Sequence, residues 1–253
     1  DVLGEFIKTL DEAEANKNEY LELIERAEKE NIDGNYSIKP TSFGLLIDKD
    51  ACYGFIREVV IKAAEYNNFI RIDMEDSPCT DLEIELFRKL KKEFPANVGI
   101  VFQSYLKRTR DDIRGLLDLN SGETALNIRL CKGIYVEPAE IAYKKYEEIN
   151  ENFLKDLEVI FRNKVYVGIA THERPLIEGA YELIRKYNVP GNMYEFQMLY
   201  GVTPKLRQSI VDEGHTMRIY VPFGKDWFGY STRRLKENPK MASHIIKAIF
   251  YKG

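Results

Sequence analysis

The sequence predicts an α/β fold, a (β/α)8 barrel whose first strand is largely missing. Three observations predict it. Short β-branched and aromatic runs alternate with longer segments of helical periodicity along the whole chain, the pattern of a parallel sheet with helical crossovers. Seven such runs follow an opening Asp-Val-Leu-Gly that stands directly before the first helical segment, where the end of an eighth strand belongs. The GxGxxG fingerprint of a doubly wound dinucleotide-binding sheet follows none of the runs.

In order, the stump DVLG leads into a helix over 11–31, with Ala13, Tyr20, Leu21, Ile24 and Ala27 on one apolar stripe. The strands are YSIK (36–39), FIRID (69–73), VGIVFQ (98–103), ALNIRLCKG (125–133), VYVGIAT (165–171), MYEFQML (193–199) and MRIYVPFG (217–224). KYEEINENFLKDLEVIF (145–161) is a further helix, and STRRLKENP (231–239) opens one after the last strand. No Pro/Ser-rich linker interrupts the alternation, so residues 1–253 are one domain, a length typical of α/β barrels. A barrel short of most of one strand would expose two sheet edges.

Composition narrows the function. Hydrophobic residues make up 44% and charged residues 31% of the chain, enough apolar material for a large core. The net charge of -4 is spread without a basic stripe, which argues against nucleic acid as a partner. No apolar run approaches the roughly 18 residues that span a bilayer. Three scattered cysteines without a CxxC pair suit a reducing, cytoplasmic interior and give no zinc site.

In a barrel, chemistry gathers at the C-terminal ends of the strands. Those ends carry Lys39, Asp73 with Glu75, Gln103, Arg129 with Lys132, Thr171 with His172, Glu195 with Gln197, and Tyr220. Several have ordinary structural alternatives. Lys39 precedes Pro40 and could leave for solvent, Asp73 could cap the following helix, and His172 could be a satisfied structural histidine. Cys131 reads better as a small buried hydrophobe than as a nucleophile. Arg129 and Glu195 are harder to dismiss, because each interrupts an apolar strand and an unpaired charge there is costly; the two are candidates to pair across the mouth. HExxH, GxSxG and Walker motifs are absent. Lys39, Arg129, Lys132, Arg233 and Arg234 outnumber the acids, which points to an anionic substrate and a phosphate-bearing cofactor. Arg233 and Arg234 lie one turn before Glu237, at i,i+4 and i,i+3, and could both simply pair with its carboxylate on a solvated helix face.

With those residues set out, the chain resembles the proline dehydrogenase family. YSTRRLKENP resembles that family's Tyr-x-x-Arg-Arg-Leu-x-Glu-Asn signature, and RLCKGIYVE its Arg-Leu-Val-Lys-Gly-Ala-Tyr-Trp-Glu element. RIDMED, ATHE and EFQMLYGV fall in matching order at strand ends. Cys131, Ile134 and Val136 depart from the pattern, the last replacing a tryptophan.

The resemblance implies a distorted (β/α)8 TIM barrel that oxidises L-proline to 1-pyrroline-5-carboxylate by hydride transfer to FAD. It implies that Arg233 and Arg234 clamp the proline carboxylate, with Lys39 and Tyr220 lining the pocket, Tyr230 and Leu199 packing on the ring, and Glu237 holding the arginines. Asp73 would order this charged site. Gln103, Arg129 and Met74 would border the isoalloxazine; Lys132, Gly133 and Ile134 would meet the ribityl and phosphate region; Thr171 and His172 the adenine side. Glu195 would support the cations. The family commonly passes electrons to a membrane quinone, which implies peripheral membrane association, at the mitochondrial inner membrane in a eukaryote. The length leaves no room for an aldehyde dehydrogenase domain, so a monofunctional enzyme is expected. Competing readings are oxidation of hydroxyproline or pipecolate, a hydrolase using Asp73 and Glu195, and a non-catalytic carboxylate-binding barrel.

Overall fold

The computed structural model of the chain describes residues 1–2, 7–122 and 124–224. Seven parallel strands hydrogen-bond in chain order: β1 (Asn35–Ile38), β2 (Phe69–Ile72), β3 (Val98–Gln103), β4 (Asn127–Cys131), β5 (Tyr166–Ala170), β6 (Tyr194–Leu199) and β7 (Met217–Tyr220). They are the seven strands that the sequence predicts. Helix α1 (Leu10–Lys29) precedes β1. The crossovers that follow carry α2 (Lys49–Glu65), α3 (Thr80–Glu93), α4 (Thr109–Gly115), α5 (Tyr146–Arg162), α6 (Arg174–Tyr187) and α7 (Pro204–Asp212).

Local chemistry fixes the helix ends. Thr9 accepts from the Glu12 amide while Glu12 accepts from the Thr9 amide, a capping box that starts α1. Asp48 caps α2 through the amides of Asp50 and Ala51. Helix α6 begins with Pro175 in its first turn and stops at Asn188, which takes the left-handed conformation at φ 47°. On α1 the apolar stripe buries Ala13, Tyr20, Ile24 and Ala27 as predicted, while Leu21 is half-buried.

The strands alternate two kinds of burial. Ile38, Ile72, Ile100, Phe102, Ile128, Leu130, Val167, Ile169, Phe196 and Met198 are fully or almost fully buried in the main hydrophobic core. The alternate positions are polar and equally buried: Ser37, Arg71, Gln103, Arg129, Glu195 and Gln197. Ser37, Arg129, Gln197 and Glu195 are linked hydrogen bond by hydrogen bond across the interior of the curl, which is therefore largely polar. Two interior glycines make room for the polar side chains. A Cβ on Gly99 would lie 2.4 Å from the Arg71 guanidinium, and one on Gly168 would lie 2.4 Å from the Gln197 amide nitrogen.

The opening residues join the two ends of the sheet. Val2 forms a parallel bridge with Phe223, and the Phe223 amide donates to the Asp1 carbonyl at 2.8 Å. On the other side the Val2 amide donates to the Tyr20 hydroxyl at 3.2 Å, which in turn donates to the Ser37 carbonyl of β1 at 2.5 Å. Residues 1–2 thus occupy the place between β7 and β1 where a barrel's remaining strand belongs, as the stump DVLG predicts; Leu3 and Gly4 lie outside the described residues.

Candidate active site

At the C-terminal ends of the strands lies a cavity of about 320 Å³. Its wall contains Lys39, Asp73, Met74, Gln103, Arg129, Lys132, Gly133, Ile134, His172, Gln197, Leu199 and Tyr220, which the sequence singles out, together with Tyr135 and Cys131, the latter half-buried on the wall and not the buried hydrophobe expected. Thr171 is buried but stands off this wall; its hydroxyl accepts from the Glu173 amide at 3.2 Å. Tyr230, Arg233, Arg234 and Glu237 lie outside the described residues.

Arg129 organises the floor. Its three nitrogens reach three other strands or their ends: Nε donates to Gln197 Oε1 at 2.7 Å, Nη1 to Asp73 Oδ1 at 2.9 Å and Nη2 to Ser37 Oγ at 2.7 Å. The guanidinium also stands 5.1 Å from the centre of the Tyr220 ring, whose hydroxyl donates to the other Asp73 oxygen at 3.3 Å. Asp73 is therefore an ion-pair partner, and the alternative of a helix cap is set aside.

The expected direct pairing of Glu195 with Arg129 is corrected by the structure. Glu195 accepts from Arg218 Nε at 2.7 Å and from Gln197 Nε2 at 2.6 Å, so Gln197 stands between the two charges. Strand register explains this: Glu195 lies opposite Gly168 and Gln197 opposite Arg218, which places the amide, not the carboxylate, nearer the mouth. Burial opposes ionisation of Glu195, but the hydrogen bond and charge of Arg218 with the Gln197 amide outweigh it and hold its pKa below the ordinary value. Deeper in the curl, fully buried Arg71 donates to the Asn127 carbonyl at 3.0 Å and its side-chain oxygen at 2.6 Å. Burial and the like charge of Arg129 lower its pKa to about 9.

Asp1 is a site residue that the sequence reading passes over, because a residue beside a strand stump carries no periodic signal. Its carboxylate, with 1% of the side chain exposed, meets Lys39 Nζ at 2.7 and 2.8 Å. Lys39 is thus held in the mouth and does not leave for solvent.

The loop after β4 builds the opposite wall. Gly133 adopts φ +104°, a conformation that favours glycine, and a Cβ there would fall 2.1 Å from the buried Tyr105 ring. The backbone is pinned by Tyr105 N donating to the Lys132 carbonyl at 2.8 Å. Lys132 itself pairs with Glu173 at 2.5 Å and stands 4.3 Å from the centre of the Tyr146 ring. Gln103 donates to the Glu75 carbonyl at 2.8 Å and the Met74 carbonyl at 3.3 Å, fixing the turn after β2. Burial lowers the pKa of His172, so its ring is neutral near pH 7. Its Nε2 accepts a long 3.5 Å bond from the Leu199 amide, which leaves the proton on Nδ1, a buried donor without a partner among the described residues.

Behind Asp73 sits a buried acid pair. Glu75 accepts from the Thr41 amide at 2.9 Å and hydroxyl at 2.5 Å, and Glu83 accepts from the Glu75 amide at 3.0 Å. Burial raises the pKa of Glu75 to about 7, and burial with the nearby charge of Glu75 raises that of Glu83 well above the ordinary carboxylate value. Raised folded-state values mean that stability is full below about pH 4.5 and falls as pH rises through about 7, by roughly 3 kcal/mol for Glu75 at about 1.4 kcal/mol per pH unit. Glu83→Gln replaces an acid whose ionisation the folded state resists with a neutral amide. Its melting temperature is expected to exceed that of the parent by a margin that widens from about pH 5 to about pH 8; thermal unfolding curves with a constant margin would contradict this.

A larger cavity of about 510 Å³ opens between β1 and β7, sharing Arg129, Gln197 and Tyr220 with the first but otherwise lined by α1 and the strand edges. The convergence of charged groups at strand ends places the candidate site in the smaller one.

Fold and site together define a parallel α/β barrel with a charged pocket at its strand C-termini, anchored by an arginine held in three directions. The sequence model of the proline dehydrogenase family matches residues 1–247. Proline dehydrogenase 1 of Bacillus subtilis subsp. natto is 34% identical over 254 residues, covering all of this chain and 82% of that protein. Proline dehydrogenase of Deinococcus radiodurans is 35% identical over 253 residues, covering 98% of this chain and 80% of that protein. Among solved structures, proline utilization A of Bdellovibrio bacteriovorus, inactivated by N-propargylglycine, aligns with a TM-score of 0.80 at 28% identity. That alignment covers 89% of this chain and 28% of the larger protein. A proline utilization A structure with proline bound in remote sites reaches a TM-score of 0.84 at 20% identity over the whole of this chain and 29% of that one, a likeness of fold. The chain belongs to the proline dehydrogenase family.

Proposed function

We propose that the protein oxidises L-proline to 1-pyrroline-5-carboxylate with FAD as its bound cofactor. The observation that carries this reading is the Asp73–Arg129–Gln197 constellation at the base of a strand-end cavity, in a chain that matches the family model almost end to end. The residues suit a flavin. Gly133, at a positive φ on the cavity wall, keeps the backbone free of a side chain, His172 Nδ1, without a partner among the described residues, offers a donor, and Lys132 supplies a cation for a phosphate. FAD bound there supplies the hydride acceptor and the electron sink. Gln103, Met74 and Arg129 are assigned to the isoalloxazine side, Lys132, Gly133 and Ile134 to the ribityl and phosphate region, and Thr171 and His172 to the adenine side.

The chain's own residues bind and orient proline. Arg233 and Arg234, with Glu237 holding them, clamp the carboxylate, for which a planar bidentate fork is suited. Lys39 and Tyr220 line the pocket, while Leu199 and Tyr230 pack on the ring. With the carboxylate fixed, C5 has one orientation, and orientation supplies much of the catalysis. The amine must be neutral for its lone pair to form the C=N bond as hydride leaves C5, and a cation-rich site favours that neutral form. A quinone at a membrane surface is the acceptor this reading carries; among the described residues no helix is long and apolar enough to cross a membrane.

Two measurements test the assignment. Heat release and chromatography of the bound chromophore should yield FAD; purified protein without flavin would overturn the reading. Arg234→Ala should retain flavin and weaken proline binding by about 1.5–3 kcal/mol, the worth of a charged hydrogen bond. Unchanged Michaelis behaviour would remove the clamp.

A further inference from the structure

We infer that Glu195 and Gln197 form a positioning relay that holds Arg129 in its working orientation from the far side of the barrel interior. Gln197 is neutral and reads in the sequence as one more versatile polar residue, but its amide here has only one useful direction. Its oxygen faces the Arg129 Nε proton at 2.7 Å and its nitrogen faces the Glu195 carboxylate at 2.6 Å. Turned over, the amide would present a donor to a donor and an acceptor to an anion. Glu195, 1% exposed, thereby fixes the orientation of Gln197, and Arg218 fixes Glu195 at 2.7 Å.

The backbone is cut to fit this relay. Gly168 of β5 lies opposite both Arg129 and Glu195 in the strand register, and any side chain there would collide with the Gln197 amide. With Nε held by β6, the planar guanidinium has its two remaining nitrogens directed to Asp73 and Ser37. All its in-plane freedom is removed by three acceptors from three directions. Gln197 and Glu195 are positioning residues: they act on the chemistry through Arg129.

The inference rests on the reading that Arg129 borders the bound flavin, where its charge stabilises the reduced form. The test is the midpoint potential of the bound flavin in the intact protein, together with stopped-flow reduction by L-proline. Gln197→Met removes both hydrogen bonds at similar volume. It is expected to lower the two-electron potential by about 30 mV, the equivalent of tenfold. The limiting reduction rate should fall about tenfold, while the dissociation constant for proline changes less than twofold. Glu195→Gln should shift the potential in the same direction by less, and the double variant should match Gln197→Met alone.

If Arg129→Met shifts the potential but Gln197→Met and Glu195→Gln do not, the relay is overturned and the flavin-side reading of Arg129 stands. Additive shifts in the double variant also overturn the relay, since Glu195 would then act by direct charge. No shift in Arg129→Met overturns the underlying reading and the inference with it. Should Gln197→Met fail to retain flavin, Glu195→Gln, which keeps the side-chain size, carries the comparison.

Discussion

Arg129→Met is expected to reduce the limiting rate of flavin reduction by about 10²–10³, the usual loss when a preorganised charge-stabilising donor is removed. The variant should also be less stable by about 3–5 kcal/mol, because removing Arg129 takes the ion-pair partner at 2.9 Å from Asp73 in a nearly enclosed site. The two losses are separable. Stopped-flow reduction at saturating proline, below the melting temperature of the variant, reads the first, and denaturant unfolding reads the second. A normal rate in a destabilised protein would make Arg129 purely structural.

The second large effect is expected at Gly133. Valine there must adopt φ near +104° and place its Cβ in the Tyr105 ring, so the loop after β4 has to move. Left-handed or bridging strain of this kind costs on the order of 1–3 kcal/mol, and overpacking adds about 1–3 kcal/mol. Because the displaced loop carries Lys132 and Ile134 on the cavity wall, the cost should appear mainly as lost cofactor. Gly133→Val is predicted to purify with little flavin, measured as the ratio of visible to ultraviolet absorbance. Gly54→Ala is the matched control: it sits in α2 with open space around it, and should keep full flavin while gaining about 0.5–1 kcal/mol of helix stability. Full flavin retention in Gly133→Val would remove the loop from the cofactor site.

These two residues differ in how visible they are before folding. Arg129 is conspicuous in the sequence, since it stands between Ile128 and Leu130 in the middle of a strand and a buried guanidinium demands acceptors. Gly133 gains its meaning only from a positive φ and a neighbouring ring that is distant in the chain. The seven strands are legible because parallel strands buried on both faces read as short β-rich runs, and the helices because their apolar residues recur at helical spacing.

Pairing across the interior is less legible. Glu195 and Arg129 carry opposite charges, but register sets Gln197 between them and gives the carboxylate to Arg218. Arg71 attracts no notice beside Asp73, although its spacing of two residues places it on the same inward face. Asp1 is missed for a different reason: its partner Lys39 belongs to the other side of the seam between β7 and β1, and nothing local in DVLGE announces it.

The most direct test of the central claim is an anaerobic titration of the purified protein with L-proline, followed by visible absorption. The account predicts a bound flavin whose oxidised band is lost as proline is added, with 1-pyrroline-5-carboxylate formed in equal amount to the flavin reduced. A flavin spectrum that stays unchanged at saturating proline, or a protein that holds no flavin, would contradict it.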